Sequence, residues 1–159
     1  MKVTIAAVGR LKSGPERELA SRYVERAAAA GKRLGLSFLV HEFPESQAAN
    51  AATRKDQEAA AILGRISPYA VFIVLDEGGK TLDSMTLAQS LAKWRDAGSG
   101  EAVFVIGGAD GHGKAVLDRA TLRLAFGAMT WPHQLVRVML AEQLYRAVTI
   151  LSGHPYHRP

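Results

Sequence analysis

The densest chemical signal is a glycine turn, Gly107-Gly108-Ala109-Asp110-Gly111-His112-Gly113, directly after the apolar run Ala102–Ile106. Glycines at the carboxyl end of a parallel strand let backbone N–H groups approach a ligand closely. The spacing is not that of a dinucleotide turn. It comes near a phosphate-binding loop, because Gly108 is followed by four residues and then Gly113-Lys114. Ala115, however, stands where such a loop needs Ser or Thr to hold a metal ion. Asp76, which could mimic the metal-holding strand, precedes the turn, and that order is wrong for a simple nucleotide core. A tight turn without a ligand is the other reading.

Three further segments could do chemistry. Phe126-Gly127-Ala128-Met129-Thr130-Trp131-Pro132 carries no charge. Connections are usually polar, so this one is either covered by another segment or walls a pocket for a flat, partly apolar ligand. His133–Leu151 then reads as a long helix with Arg137, Tyr145 and Arg146 interrupting its apolar surface. Glu142 and Arg146 stand at i, i+4, which suits an intrahelical pair. The end, His154-Pro155-Tyr156-His157-Arg158, offers flat rings for a base and a planar fork for phosphate or a base edge. A frayed terminus is the alternative. His154 and His157 lack a third metal ligand spaced to join them. His133, just inside a helix start, reads as structural or anion-facing, and His41 and His112 receive no role. Nothing resembles a Ser-His-Asp set or a pair of catalytic carboxylates.

The elements that must position these groups alternate along the chain. Val3–Val8 reads as a strand, followed by the capping-box spacing Ser13-Gly14-Pro15-Glu16 and a helix stopping near Gly31. Leu36–Phe43 is a second strand, and residues 45–66 read as an Ala-rich helix whose first half, Ser46–Thr53, has few apolar anchors. Ala70–Leu75 suits a strand buried on both faces, with Asp76-Glu77-Gly78-Gly79 as a turn after it. Ser84 is placed to cap a helix ending at Gly98. Ala102–Ile106, a short helix Lys114–Ala120, the strand Leu122–Phe126 and the terminal helix complete the pattern. The class is α/β, a mostly parallel sheet with flanking helices, in a single domain over residues 1–159. The terminal helix is apolar around so much of its girth that it needs cover on two sides, the sheet and a second subunit.

Composition removes other classes. Across 159 residues, 48% are hydrophobic and 22% charged, which suits a globular chain rather than a disordered one. There is no cysteine, hence no disulfide frame, thiolate nucleophile or cysteine zinc site. The net charge of +5 favours an anionic partner such as nucleic acid. The opening MKVTIAAVGRLKSG suits a strand better than a signal peptide, and no run approaches the ~20 apolar residues of a bilayer span. A soluble, cytoplasmic protein is expected.

Taken together, several segments resemble the ribosomal large-subunit methyltransferase H family, of the SPOUT class of α/β-knotted methyltransferases. They are the opening Val3–Lys12, the strand ending Leu75-Asp76, the turn Phe104–Gly111, the stretch Met129–Arg137, and the ending Glu142–Ala147 with Pro155-Tyr156-His157-Arg158. The resemblance runs nearly end to end. It implies a homodimer whose C-terminal half is tied in a deep trefoil knot holding S-adenosylmethionine. By motif, the cofactor contacts fall on Leu75, Gly107, Phe126, Gly127, Ala128, Met129, Thr130 and Trp131. The implied reaction is N3-methylation of a pseudouridine in large-subunit rRNA on the assembled ribosome. The implied catalytic tail is Tyr156, His157 and Arg158, with His133, Arg137 and Arg146 meeting substrate phosphate or supporting the site. No metal is implied. Gly127-Ala128, His112-Gly113 and the final Pro159 depart from the family pattern. A basic RNA-binding module of the same fold is the rival reading.

Overall fold

The computed structural model describes residues 1–158. Five parallel strands form one sheet in the order β2-β1-β4-β3-β5. They are β1 (Lys2–Val8), β2 (Ser37–Phe43), β3 (Val71–Thr81), β4 (Glu101–Ile106) and β5 (Leu122–Ala125). The helices are α1 (Pro15–Gly31), α2 (Ala51–Arg65), α3 (Ser84–Asp96), α4 (Lys114–Arg119) and α5 (His133–Leu151).

Period-two alternation sends the side chains of β1, β3 and β4 into two separate cores. Ile5, Ile73, Phe104 and Ile106 face α1, α3 and α5, while Val8, Phe72, Val74 and Val105 face α2 and α4. Both faces are covered, so the central strands read as continuous apolar runs. Within its layer α5 lies between α1 and α3 and touches β4. Its buried stripe includes Leu140, Ala141, Leu144, Ala147 and Val148, while Leu135 remains 40% exposed. Among the described residues no helix is long and apolar enough to cross a membrane.

The structure corrects three local expectations. The residues 45–66 do not form one helix: α2 starts at Ala51, where the Asn50 side chain accepts from the Thr53 N–H at 2.8 Å. Asp83, not Ser84, caps α3, taking the Thr86 N–H at 2.6 Å, and the Ser84 hydroxyl instead donates to Gln143 Oε1. At the head of α1, no side chain caps, and Gly14 holds the cap position ahead of Pro15.

The largest correction is in β3. Asp76-Glu77-Gly78-Gly79 is not a turn, because the strand continues to Thr81. Leu75 and Lys80 both pair with Leu124 of β5, so the residues between them arch out of the ladder. Neither Gly78 nor Gly79 has positive φ. What Gly79 supplies is room: a Cβ there would lie 2.6 Å from the Arg123 carbonyl carbon and 2.7 Å from its oxygen. Those atoms are backbone and cannot rotate away. Gly79→Ala is therefore expected to destabilise by about 1–3 kcal/mol in urea unfolding. Gly78→Ala, whose Cβ would stand an ordinary 3.5 Å from the Arg123 side chain, is expected to stay within about 0.5 kcal/mol of wild type.

Candidate functional site

A cleft of about 560 Å³ opens at the carboxyl ends of β3, β4 and β5, closed on its far side by the first turn of α5. This is where open parallel sheets bind ligands, and the volume suits a small organic molecule. Leu75, Ile106, Leu117, Leu124, Phe126 and Val136 give it apolar walls. The turn Gly107–His112 gives it a backbone edge.

The glycine turn is tight by construction. The Gly111 N–H donates to the Gly108 carbonyl at 3.0 Å, with Gly111 at φ +81°. A Cβ on Gly107 would stand 3.1 Å from the Gly111 backbone and the His112 ring, so a side chain there would crowd the turn. Helix α2 pins the turn from outside. Arg54 grips Asp110 with two nitrogens, at 2.6 and 3.1 Å, and donates its third to the Ala48 and Ala49 carbonyls. Glu58, nearly buried, accepts the Ser46 N–H at 3.0 Å. The segment before α2, short of apolar anchors in the sequence, is thus held by polar ones. Lys114 points away: its ammonium pairs with Asp118, the side chain is 85% exposed, and it does not line the cleft. The phosphate-binding-loop reading loses its lysine as well as its hydroxyl.

The second lip is the uncharged loop. Phe126, Gly127, Met129, Thr130 and Trp131 line the cleft, as do Leu75 and Gly107; Ala128 does not. Gly127 sits at φ +108°, a conformation open to glycine and strained for other residues. The Thr130 hydroxyl donates to Glu77 Oε2 at 2.8 Å and so ties this lip to β3. Burial raises the Asp76 carboxyl, but hydrogen bonds from Arg123 and the Gly78 N–H outweigh it and hold the group below the usual carboxylate range. The Arg54 hydrogen bond does the same for Asp110.

His133 lines the cleft, but Arg137 and Arg146 do not. Arg137 is only 3% exposed, with Nη1 on Glu42 at 2.8 Å and Nη2 on the Val8 and Gly9 carbonyls at 2.6 Å each. That guanidinium is committed to the protein interior, so of its two expected roles, phosphate contact or support, the geometry fits support. Arg146 pairs with Glu142 within α5. The tail folds against this pair. The Tyr156 hydroxyl donates to Glu142 Oε1 at 3.0 Å, and its ring lies 4.9 Å under the Arg146 guanidinium and 4.7 Å from Tyr145. Burial, with hydrogen bonds to Tyr23 and Glu142, raises the phenol pKa and keeps it protonated. Arg146 Nη1 stands 3.5 Å from His157 Nδ1, Arg158 is exposed, and Pro159 lies outside the described residues. None of Tyr156, His157 and Arg158 lines this chain's cleft. Among the described residues no three metal-ligating side chains gather.

Glu77, Leu117, Leu124, Val136 and His112 line the cleft without having drawn a role from sequence, and His112 is the one imidazole among them. His112 lines the cleft, and its Nε2 lies 2.8 Å from the Leu75 carbonyl oxygen. Its place inside the glycine turn was the only signal.

The family model described as "Predicted SPOUT methyltransferase" matches residues 1–157. A protein of Bradyrhizobium diazoefficiens named ribosomal RNA large subunit methyltransferase H is 58% identical over 159 residues, 99% of each chain. One of the same name from Agrobacterium fabrum is 55% identical over the same share. Among solved structures, the SpoU methyltransferase AviRb from Streptomyces viridochromogenes, in complex with the cofactor AdoMet, is 11% identical with a TM-score of 0.42. That match covers 96% of this chain and 61% of the other.

Proposed function

The chain belongs to the SPOUT methyltransferase family, and from that premise we propose that it methylates large-subunit rRNA using S-adenosylmethionine. The target is N3 of a pseudouridine on the assembled ribosome. The working form is a cytoplasmic homodimer of single-domain subunits, each with its C-terminal half tied in a trefoil knot. The observation that carries the reading is the cleft itself: a glycine-edged backbone rim opposite an uncharged loop, at the carboxyl ends of three strands.

The residues present fit the cofactor. Backbone groups of the Gly107–Gly111 turn suit the polar edge of adenine and the methionine ends. Leu75, Phe126, Met129 and Trp131 suit its flat and aliphatic parts, and no Cβ on Gly107 intrudes. When bound, its sulfonium supplies an activated methyl group for in-line displacement, which needs no metal and no covalent enzyme intermediate.

The protein's own work is then positioning and proton handling. The N3–H of the base is lost as the N3–CH₃ bond forms. His157 is the proposed acceptor of that proton, and Arg158 the proposed stabiliser of the anionic base. Tyr156, kept protonated, is suited to stack on the base and not to take its proton. His133, which lines the cleft, is the proposed substrate contact on its rim. Arg137 and Arg146 act as supports, the first on β1 and the second on the tail. Because the tail lies beside α5 and not at its own cleft, a dimer in which one subunit's tail completes the other's cleft fits this geometry.

A net charge of +5 gives little electrostatic grip on naked RNA. Ribosomes from a strain lacking the gene, incubated with purified protein and S-adenosylmethionine, should gain one methyl on a pseudouridine, read by mass spectrometry of the digested rRNA. Free rRNA should react at least about tenfold more slowly. No methyl on either substrate overturns the reading, and equal rates overturn the ribosome requirement.

A further inference from the structure

His112 is the cleft imidazole to which no role has been given, and four observations constrain it. It lines the cleft beside Gly107. Its Nε2 lies 2.8 Å from the Leu75 carbonyl. A carbonyl can only accept, so the proton sits on Nε2 and Nδ1 carries the lone pair. Nδ1 makes no hydrogen bond among the described residues, yet it is not sealed in the interior. The ring also stands where a Gly107 side chain would go, with Cε1 at 3.1 Å from that Cβ position, so Gly107 and His112 share one spot on the rim.

We propose that His112 positions the bound cofactor, its Nε2–H anchored on the Leu75 carbonyl and its Nδ1 accepting a hydrogen bond from an N–H or O–H of the cofactor. The assignment rests on the methyltransferase reading and deepens it. It also changes what Leu75 does: that carbonyl orients the imidazole, leaving its side chain to meet the ligand.

The surroundings support an uncharged ring. Burial pushes the imidazole below the ordinary histidine pKa. The Leu75 carbonyl and the Asp76 carboxylate on β3 pull it back up, Arg123 on β5 pushes it down, and Glu58 on α2 pulls it up. Asp110, on the same turn, is engaged by Arg54. Protonating Nδ1 destroys the acceptor. Cofactor binding must therefore resist protonation, and by linkage acid must weaken binding. The loss appears as the pH falls through the lowered His112 pKa.

The test is calorimetry with S-adenosylhomocysteine, which binds without reacting, from about pH 7.5 down to about pH 5. Wild type should lose about tenfold in affinity across that range. His112→Gln keeps an N–H for the Leu75 carbonyl but has nothing to protonate at that position, so its affinity should change far less with pH than that of wild type. NMR titration of the His112 ring protons should show a lower midpoint with S-adenosylhomocysteine bound than without it. A His112→Gln variant that keeps the wild-type pH dependence overturns the proposal, as does a His112 midpoint unmoved by ligand. A wild type that binds neither S-adenosylhomocysteine nor S-adenosylmethionine at any pH overturns the methyltransferase reading itself, an outcome distinct from both.

Discussion

Deleting residues 156–159 should abolish methyl transfer, by about 10³-fold or more in kcat, while S-adenosylhomocysteine affinity stays within about threefold of wild type. The asymmetry follows from geometry. The cleft is built from β3, β4, β5 and the start of α5, and the tail contributes nothing to its walls. The tail's contacts are with Glu142, Arg146 and Tyr145 on α5 and with Tyr23 on α1. Losing it costs one tyrosine's packing on a partly exposed surface, so the melting temperature should shift only a few degrees, on the order of 1 kcal/mol. Methylation of ribosomes and calorimetry on the same preparation separate the two effects. Full activity in the truncated protein would remove Tyr156, His157 and Arg158 from the mechanism. Tyr156→Phe sharpens the point, because it keeps the ring over which Arg146 lies and removes only the hydroxyl held by Glu142. If stacking is the role of Tyr156, that variant should retain most activity.

Arg137→Ala should destabilise the fold by about 3–5 kcal/mol, measured by urea unfolding. Arg137 makes three hydrogen bonds from the interior, to Glu42 and to the Val8 and Gly9 carbonyls at the end of β1. Glu42 Oε1 also accepts the Leu11 N–H at 2.9 Å, so one carboxylate joins the loop after β1 to the first turns of α5. Removing the guanidinium strands two carbonyls and leaves a half-buried carboxylate without its cation. Lysine is no remedy, because a single ammonium on a flexible stem cannot reproduce the planar fork. Arg137→Lys should therefore recover less than half of the loss. The measurement also decides between the two roles the sequence left open. A variant of near-wild-type stability that fails to engage ribosomes would make Arg137 an RNA contact instead of a rivet. Val136, next to it, lines the cleft, so the rivet also fixes the cleft's far wall.

Much of this was legible before folding was considered. Ala70–Leu75 and Ala102–Ile106 declared themselves as central strands because a strand covered on both faces must be apolar at every position. The glycine turn and the uncharged loop stood out because each breaks the rule that connections are polar and side-chain-bearing. Their agreement with a family's motifs supplied the reaction, which no periodicity could. What sequence could not reveal were features set by a neighbour distant in the chain. Gly78-Gly79 has a turn's composition, yet the chain there runs on as strand beside β5, so close that a Cβ on Gly79 would lie 2.6 Å from the Arg123 backbone. Arg137 has the type of a phosphate ligand, yet two carbonyls at the end of β1 draw it inside.

The linear chain thus determined the central strands, most of the helices and the two loops that line the cleft, since local apolar pattern and backbone freedom are properties of consecutive residues. Only the tertiary structure decided what each polar group is paired with. It turned Arg137 inward, set His112 on the Leu75 carbonyl, left Ala128 off the cleft and laid the tail along α5. Hydrogen-bond partners are chosen by packing between segments tens of residues apart, and that information does not exist until those segments meet.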